Sequence, residues 1–165
     1  DISGDFTDEE LKNTPKRIDS FQKEWKEKTK YDKFTVFPNT HGYNQMIILK
    51  DIEFASMCSH HLLPFMGRAH IGYIPDKKLI GLSKLARIVD KFASRPQLQE
   101  NLTHEIIKFI VKILKPKGVM IIIEATHDCM RIRGITKQNS TMITSAFKGY
   151  FNKLDTRDEF LKLIK

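Results

Sequence analysis

The chain has 165 residues, 41% of them hydrophobic and 29% charged, which suits one domain with a real apolar core. No apolar run approaches the roughly 20 residues a membrane-spanning helix needs, and Asp1 to Glu10 is acidic and polar, unlike a secretory leader. The net charge of +8 suits nucleic acid or a small polyanion, but the lysines are scattered and no zinc-finger repeat, RNP aromatics or GXXG loop is present, so no nucleic-acid partner is expected. With two cysteines and no leader, free thiols and a cytoplasmic setting are expected. Asp1 is no initiator methionine, so a longer native N-terminus is expected.

Thr14-Pro15 predicts a helix start, with threonine as N-cap and proline at the first helical position. Ile18, Phe21 and Trp25 then recur at helical steps and make one face apolar. Residues 31–43 read as a linker, with turn signals at Pro38-Asn39 and Gly42. Met46 to Ala55 reads as a strand. Gly67 to Pro75 reads as its partner, with Ala69, Ile71 and Tyr73 on one face and His70, Gly72 and Ile74 on the other. Leu85, Ile88, Val89 and Phe92 mark a helix with Ser83 as its N-cap, and Arg95-Pro96 breaks it. Leu98, Leu102, Ile106, Phe109, Ile110 and Ile113 mark a longer helix ending near Lys115-Pro116-Lys117-Gly118. Val119 to Ala125 reads as a buried strand and Ser140 to Phe151 as another. Asp155 or Thr156 caps a last helix to Ile164. Strand runs and helix runs are segregated, which predicts an antiparallel α+β domain.

Two segments carry the chemistry. Cys58-Ser59-His60-His61 lies in the connection between two strands, where loops carry function. His127-Asp128-Cys129 follows the buried strand, and on an extended chain His127 and Cys129 project to the same side. The C-x-x-H spacing lets one tight turn fold around an ion. Two thiolates and one imidazole suit Zn²⁺, with a fourth position left for water. An open site of this kind activates water, whereas a closed four-ligand site is structural. Two buried thiols, or one disulfide, are the alternatives that the spacing leaves open.

The wider pattern resembles GTP cyclohydrolase I. The residues that carry the resemblance are Met57-Cys58-x-His60-His61-Leu62-x-Pro64-Phe65, then Ile80-Gly81-Leu82-Ser83-Lys84-Leu85-Ala86-Arg87-Ile88-Val89. Arg95-Pro96-Gln97-Leu98-Gln99-Glu100, Glu124-Ala125-x-His127-x-Cys129, Arg131-Ile132-Arg133-Gly134 and Thr156-Arg157-x-Glu159-Phe160-Leu161 follow in order. The resemblance spans roughly Thr14 to the end. One departure is Ser59, where the family usually has an acidic residue.

The resemblance implies a tunnelling fold: an antiparallel sheet with helices packed on one side, assembling into a ring-shaped barrel. Residues 1–44 would form an N-terminal helix and linker, and 45–165 the core of a single catalytic domain. It implies pentameric rings, stacked as a decamer, with active sites between subunits. The implied reaction takes GTP and water to 7,8-dihydroneopterin triphosphate and formate, the entry to folate or tetrahydrobiopterin synthesis. The implied Zn²⁺ ligands are Cys58, His61 and Cys129. His127 would serve as the acid–base group, donating a proton to the ring nitrogen as C8 is attacked. His60 would act near the ribose. Glu100, with Gln99 beside it, would read the two adjacent donors of guanine. Ser83, Lys84, Arg87 and Arg133 would hold the triphosphate, and Arg17 would reach a neighbouring subunit's site. A related tunnelling-fold enzyme of pterin or deazapurine chemistry, and a zinc-stabilised nucleic-acid-binding module, are the rival readings.

Overall fold

The computed structural model describes residues 8–165, so the first seven residues of the acidic opening segment lie outside the described residues. Helices α1 (Asp8–Leu11) and α2 (Thr14–Thr29) come first, followed by strands β1 (Val36–Pro38), β2 (Ile47–Cys58), β3 (Pro64–Ile74) and β4 (Lys78–Ile80). Next are helix α3 (Leu82–Ala93), strand β5 (Pro96–Gln97), helix α4 (Gln99–Leu114), strand β6 (Gly118–His127) and the one-turn helix α5 (Asp128–Arg131). Strand β7 (Met142–Gly149), a 3-10 turn at Tyr150–Asn152 and helix α6 (Leu154–Ile164) complete the chain.

The main sheet has the order β5-β2-β3-β6-β7. Its four long strands pair antiparallel, and only short β5 runs parallel, beside β2. The reading of residues 31–43 as bare linker is corrected: Val36 and Phe37 pair with Ile80 and Leu79 in a separate two-stranded ladder. Those residues find a partner only after the chain has passed through two more strands, beyond the reach of local signals.

Helices α3 and α4 cover one face of the sheet. Leu85, Ile88 and Val89 of α3 and Leu102, Ile106 and Ile110 of α4 are buried against Ala69, Ile71 and Tyr73 of β3 and Val119, Ile121 and Ile123 of β6. Period-3.6 helices meet a period-2 sheet here, as the apolar spacings require. The alternate strand residues Ile74, Met120 and Ile122 form a second cluster with Phe151 and Phe160, so α6 folds over one corner of the other face. Gly72 makes that approach possible, since a β-carbon there would stand 2.7 Å from ring carbons of Phe160.

One irregularity in β2 aims the site. Leu49 pairs with Ile71, but Ile52 pairs with Ala69, so one extra β2 residue is taken up between them. Asp51 adopts a left-handed φ of 57° there, a conformation that costs a non-glycine residue about 1–2 kcal/mol. Its N–H donates to Nδ1 of His70 at 3.2 Å, and its carboxylate lies 3.4 Å from Arg68. Before the bulge, Ile47 and Leu49 pack toward the helices. After it, Ile52, Phe54, Ser56 and Cys58 are the buried residues. Side chains alternate along a strand, so the extra residue reverses the parity and gives Cys58, not Met57, the inward direction.

Candidate metal centre and active site

A tight turn carries the first ligand pair. Cys58 N–H donates to the Leu63 carbonyl and Leu62 N–H to the Cys58 carbonyl, both at 2.8 Å. Leu62 takes a left-handed φ of 52° to close the turn. Ser59 N–H donates to the Gln97 carbonyl at 3.0 Å, which ties the turn to β5. The turn is therefore held by its backbone, and the Cys58 and His61 side chains are free to face one point.

The second segment is not extended, and that expectation is corrected. His127 is the last residue of β6, and Cys129 lies in α5. The backbone turns helical directly after His127, with Ile132 N–H bonded to the Asp128 carbonyl at 3.0 Å. Asp128 stands in the first turn of α5, where a carboxylate meets free N–H groups. The turn gives the two side chains different surroundings.

Ligand atoms of Cys58, His61 and Cys129 all lie within 4.8 Å of one another. Cys58 Sγ is 3.9 Å from His61 Nδ1. Both cysteines are free thiols, so the disulfide alternative is set aside. Burial raises the pKa of Cys129, and the adjacent Cys58 raises it further, while Arg133 pulls it down. Two sulfurs this close resist becoming thiolates together unless a cation joins them. Two soft sulfurs and a borderline nitrogen are the donors zinc favours, and His127 is not in the group, so these residues fit such an ion with three protein ligands. Arg133 reaches this cluster: one guanidinium N–H donates to His61 Nε2 at 3.0 Å.

His127 is held by a separate set of contacts. Gln99, the first residue of α4, is 1% exposed. Its amide nitrogen, with two N–H groups, lies 3.1 Å from the Ile123 carbonyl, 3.0 Å from the Met142 carbonyl and 3.1 Å from Thr144 Oγ1, one hydrogen being shared between two acceptors. Carbonyls only accept, so they fix which end of the amide is nitrogen. The amide oxygen then faces His127 Nε2 at 2.8 Å. The neutral imidazole therefore carries its proton on Nε2 and keeps Nδ1 as an acceptor. Phe65 stacks on the ring at 4.6 Å, with 2° between planes. Burial lowers the His127 pKa, and the negative charge of Glu100 partly opposes this. His127 thus stands neutral near pH 7. Gln99, expected as an open substrate contact beside Glu100, is turned inward, and Glu100 itself is exposed.

His60 is exposed and set perpendicular to His61, with ring centroids 6.2 Å apart. The N-cap of α3 is Gly81, not Ser83, which lies inside the first turn. Ser83 and Arg87 are exposed, and Lys84 is half-buried. Lys84 Nζ donates to the Tyr31 hydroxyl at 2.7 Å, and the Arg87 guanidinium lies over the Tyr31 ring at 4.5 Å. Arg17 is exposed on α2. Within the chain, Lys84 and Arg87 therefore form a group of their own around Tyr31, whereas Arg133 joins the sulfur cluster. Sequence reasoning did not find the roles of Phe65, Gln99 and Tyr31; their types and positions carry no spacing rule. Among the described residues, no helix is long and apolar enough to cross a membrane.

The family model for GTP cyclohydrolase I matches residues 1–165. GTP cyclohydrolase 1 of Aquifex aeolicus (strain VF5) is 50% identical over 165 residues, covering 99% of this chain and 89% of the relative. GTP cyclohydrolase 1 of Coxiella burnetii (strain RSA 493 / Nine Mile phase I) is 52% identical over 163 residues, covering 95% and 88%. A solved structure, the apo form of the archaeosine synthase QueF-Like, superposes with a TM-score of 0.53 at 16% identity, over 63% of this chain and 93% of that one. That last likeness concerns the fold alone, and it agrees with the tunnelling fold that the motifs implied. On these matches the chain belongs to the GTP cyclohydrolase I family of hydrolases, whose substrate is GTP.

Proposed function

We propose that the chain catalyses zinc-dependent hydrolysis of GTP at guanine C8, with ring opening, release of formate and rearrangement to 7,8-dihydroneopterin triphosphate. The product would enter folate or tetrahydrobiopterin synthesis. One observation carries this reading: Cys58, His61 and Cys129 gather within 4.8 Å while His127 stands outside their group. Zinc on those three residues would supply the Lewis acidity that makes water a usable nucleophile near neutral pH.

The remaining steps belong to side chains. His127 accepts a proton at Nδ1 and passes it to the ring nitrogen as C8 is attacked, with Gln99 and Phe65 keeping its plane fixed. His60, exposed on the turn, serves the ribose. The Glu100 carboxylate accepts guanine N1–H and the exocyclic amino group, a donor pair that adenine lacks. Ser83, Lys84, Arg87 and Arg133 receive the triphosphate, and Arg17 reaches a neighbouring subunit's site. Gln99, beside Glu100 in the guanine site, also holds His127 through its amide oxygen.

The ring assembly, pentamers stacked as a decamer, is part of the same reading. It is supported by exposed apolar residues such as Ile143 (63% exposed) on β7, which is an edge of the sheet. The reading also takes residues 1–44 as an N-terminal helix and linker, 45–165 as the core of one catalytic domain, and the cytoplasm as its location. Zinc-loaded protein incubated with GTP should yield formate and, after oxidation, a fluorescent pterin; assembled protein giving neither would reject the reaction.

A further inference from the structure

Lys84 and Arg87 reach over one residue that no motif contains. Tyr31 lies just beyond the C-terminal end of α2. Its ring packs edge-on against Phe34 at 5.0 Å, and Phe34 packs edge-on against Phe109 of α4 at 4.9 Å. Lys91 of α3 donates to the Tyr31 carbonyl at 2.8 Å and to the Thr29 carbonyl at 2.6 Å. The ring is thus fixed relative to both core helices.

Against this fixed ring the two cations are held in different ways. The Lys84 ammonium has three N–H groups and gives one to the Tyr31 hydroxyl at 2.7 Å, which leaves two. The Arg87 guanidinium, 4.5 Å from the ring centroid, uses the π face, and among the described residues its N–H groups make no hydrogen bond. The acidic residue of the following turn, Asp90, faces Lys28 at 3.9 Å. Glu27 and Asp90 line the same pocket as Tyr31 and Arg87, but Glu27 pairs with Lys30, so two long side chains are ordered one helical turn apart with no ion pair of their own among the described residues. An ordered cation pair with open donors suits two adjacent anionic groups on one ligand.

We propose that Tyr31 is a positioning residue for polyphosphate, holding Lys84 and Arg87 in the arrangement that receives the phosphates of the nucleotide. This rests on the reading of Lys84 and Arg87 as phosphate contacts. Tyr31 itself touches no reacting atom. Its effect falls on recognition of the phosphate chain and leaves the chemistry at the purine alone.

The test uses the assembled, zinc-loaded protein and inorganic triphosphate as the probe, with binding read by calorimetry. Tyr31→Phe keeps the ring and loses the Lys84 hydrogen bond, whereas Tyr31→Leu loses both contacts and keeps an apolar neighbour for Phe34. The expected affinity losses are about threefold for Tyr31→Phe and about tenfold for Tyr31→Leu. KM for GTP should rise in step while kcat changes by less than about twofold, and Tyr31→Phe should keep the parent's thermal midpoint. Unaltered triphosphate binding in both Tyr31 variants, alongside weakened binding in Lys84→Ala and Arg87→Ala, would overturn the proposal and leave the phosphate reading standing. Unaltered binding in Lys84→Ala and Arg87→Ala would remove the phosphate reading and this role with it. Tighter binding in either Tyr31 variant, or a fall in kcat at constant KM, would also overturn it.

Discussion

The side-chain oxygen of Gln99 stands 2.8 Å from Nε2 of His127, so one nitrogen of this imidazole is committed as a donor. The same amide bridges β6 and β7 through the Ile123 and Met142 carbonyls. Replacing it by Gln99→Leu should therefore cost about 1–3 kcal/mol of stability by stranding buried acceptors. It should also lower kcat by about tenfold or more, because the tautomer of the proposed proton-transfer group is no longer fixed. Nitrogen-15 NMR of the imidazole would distinguish the effects, with a mixture of tautomers expected in the variant. A single Nε2–H form with full kcat would reject the positioning role.

Burial holds the His127 pKa below the ordinary 6.5, with Glu100 acting in the opposite direction. Between that lower native value and 6.5 the unfolded chain binds the proton more readily, so stability rises with pH across the interval. The contribution is complete above 6.5 and is lost as pH falls through the native value. Thermal midpoints of the metal-free protein should decline over this acidic interval, and His127→Gln should flatten that part of the curve. An identical slope in the variant would contradict the burial argument.

Cys58→Ser and Cys129→Ser should each remove most of the bound zinc, measured by elemental analysis, together with turnover. Chelation of the parent protein should lower its thermal midpoint and zinc should restore it, because an ion that binds the native site stabilises by mass action. Retained stoichiometric zinc in either serine variant would break the ligand assignment.

Glu100 is exposed in the first turn of α4, so Glu100→Ala should change stability by no more than about 0.5 kcal/mol. Its effect on kcat/KM for GTP should be a loss of about 10- to 100-fold, the value of charge-assisted hydrogen bonds to guanine. Preference for GTP over ATP should shrink by a similar factor. Preserved discrimination would remove Glu100 from guanine reading.

His70→Ala should cost about 1–3 kcal/mol, because the N–H of Asp51 inside the sheet loses its acceptor. His70→Asn, which offers a shorter acceptor, should recover part of the loss. Urea denaturation of both variants measures the difference, and equal stability would mean that water replaces the imidazole.

Much of this arrangement was legible in the chain because burial follows period. Ala69, Ile71 and Tyr73 face the helices as their alternation predicts, and the apolar steps of α3 and α4 mark their buried stripes. Caps were displaced: Asn13, Gly81 and Lys153 stand where Thr14, Ser83 and Asp155 or Thr156 were expected. None of the three makes a side-chain capping bond, so the usual preference for hydroxyl and carboxylate residues had nothing to act on. Cys58, His61 and Cys129 were legible because cysteine is rare here and its spacing to histidine is short. Phe65 over His127 and Gln99 beneath it were not, because those contacts depend on strand register, which composition does not encode. The helical turn at Cys129 escaped for a similar reason. One residue of separation reads alike on a strand and on a turn until the backbone declares itself.

The bulge at Asp51 lies far up the strand from any ligand, yet it decides which atom the ion would meet. Drawing Asp51 into the ladder opposite Ala69, with no residue removed, would restore unbroken pairing and relieve the left-handed backbone. It would also rotate the end of β2 by half a pleat, offering the Met57 thioether inward and sending the Cys58 thiol out to solvent. A straighter and locally more comfortable strand would then lose the proposed metal site through arithmetic alone, with every candidate ligand still present in the sequence.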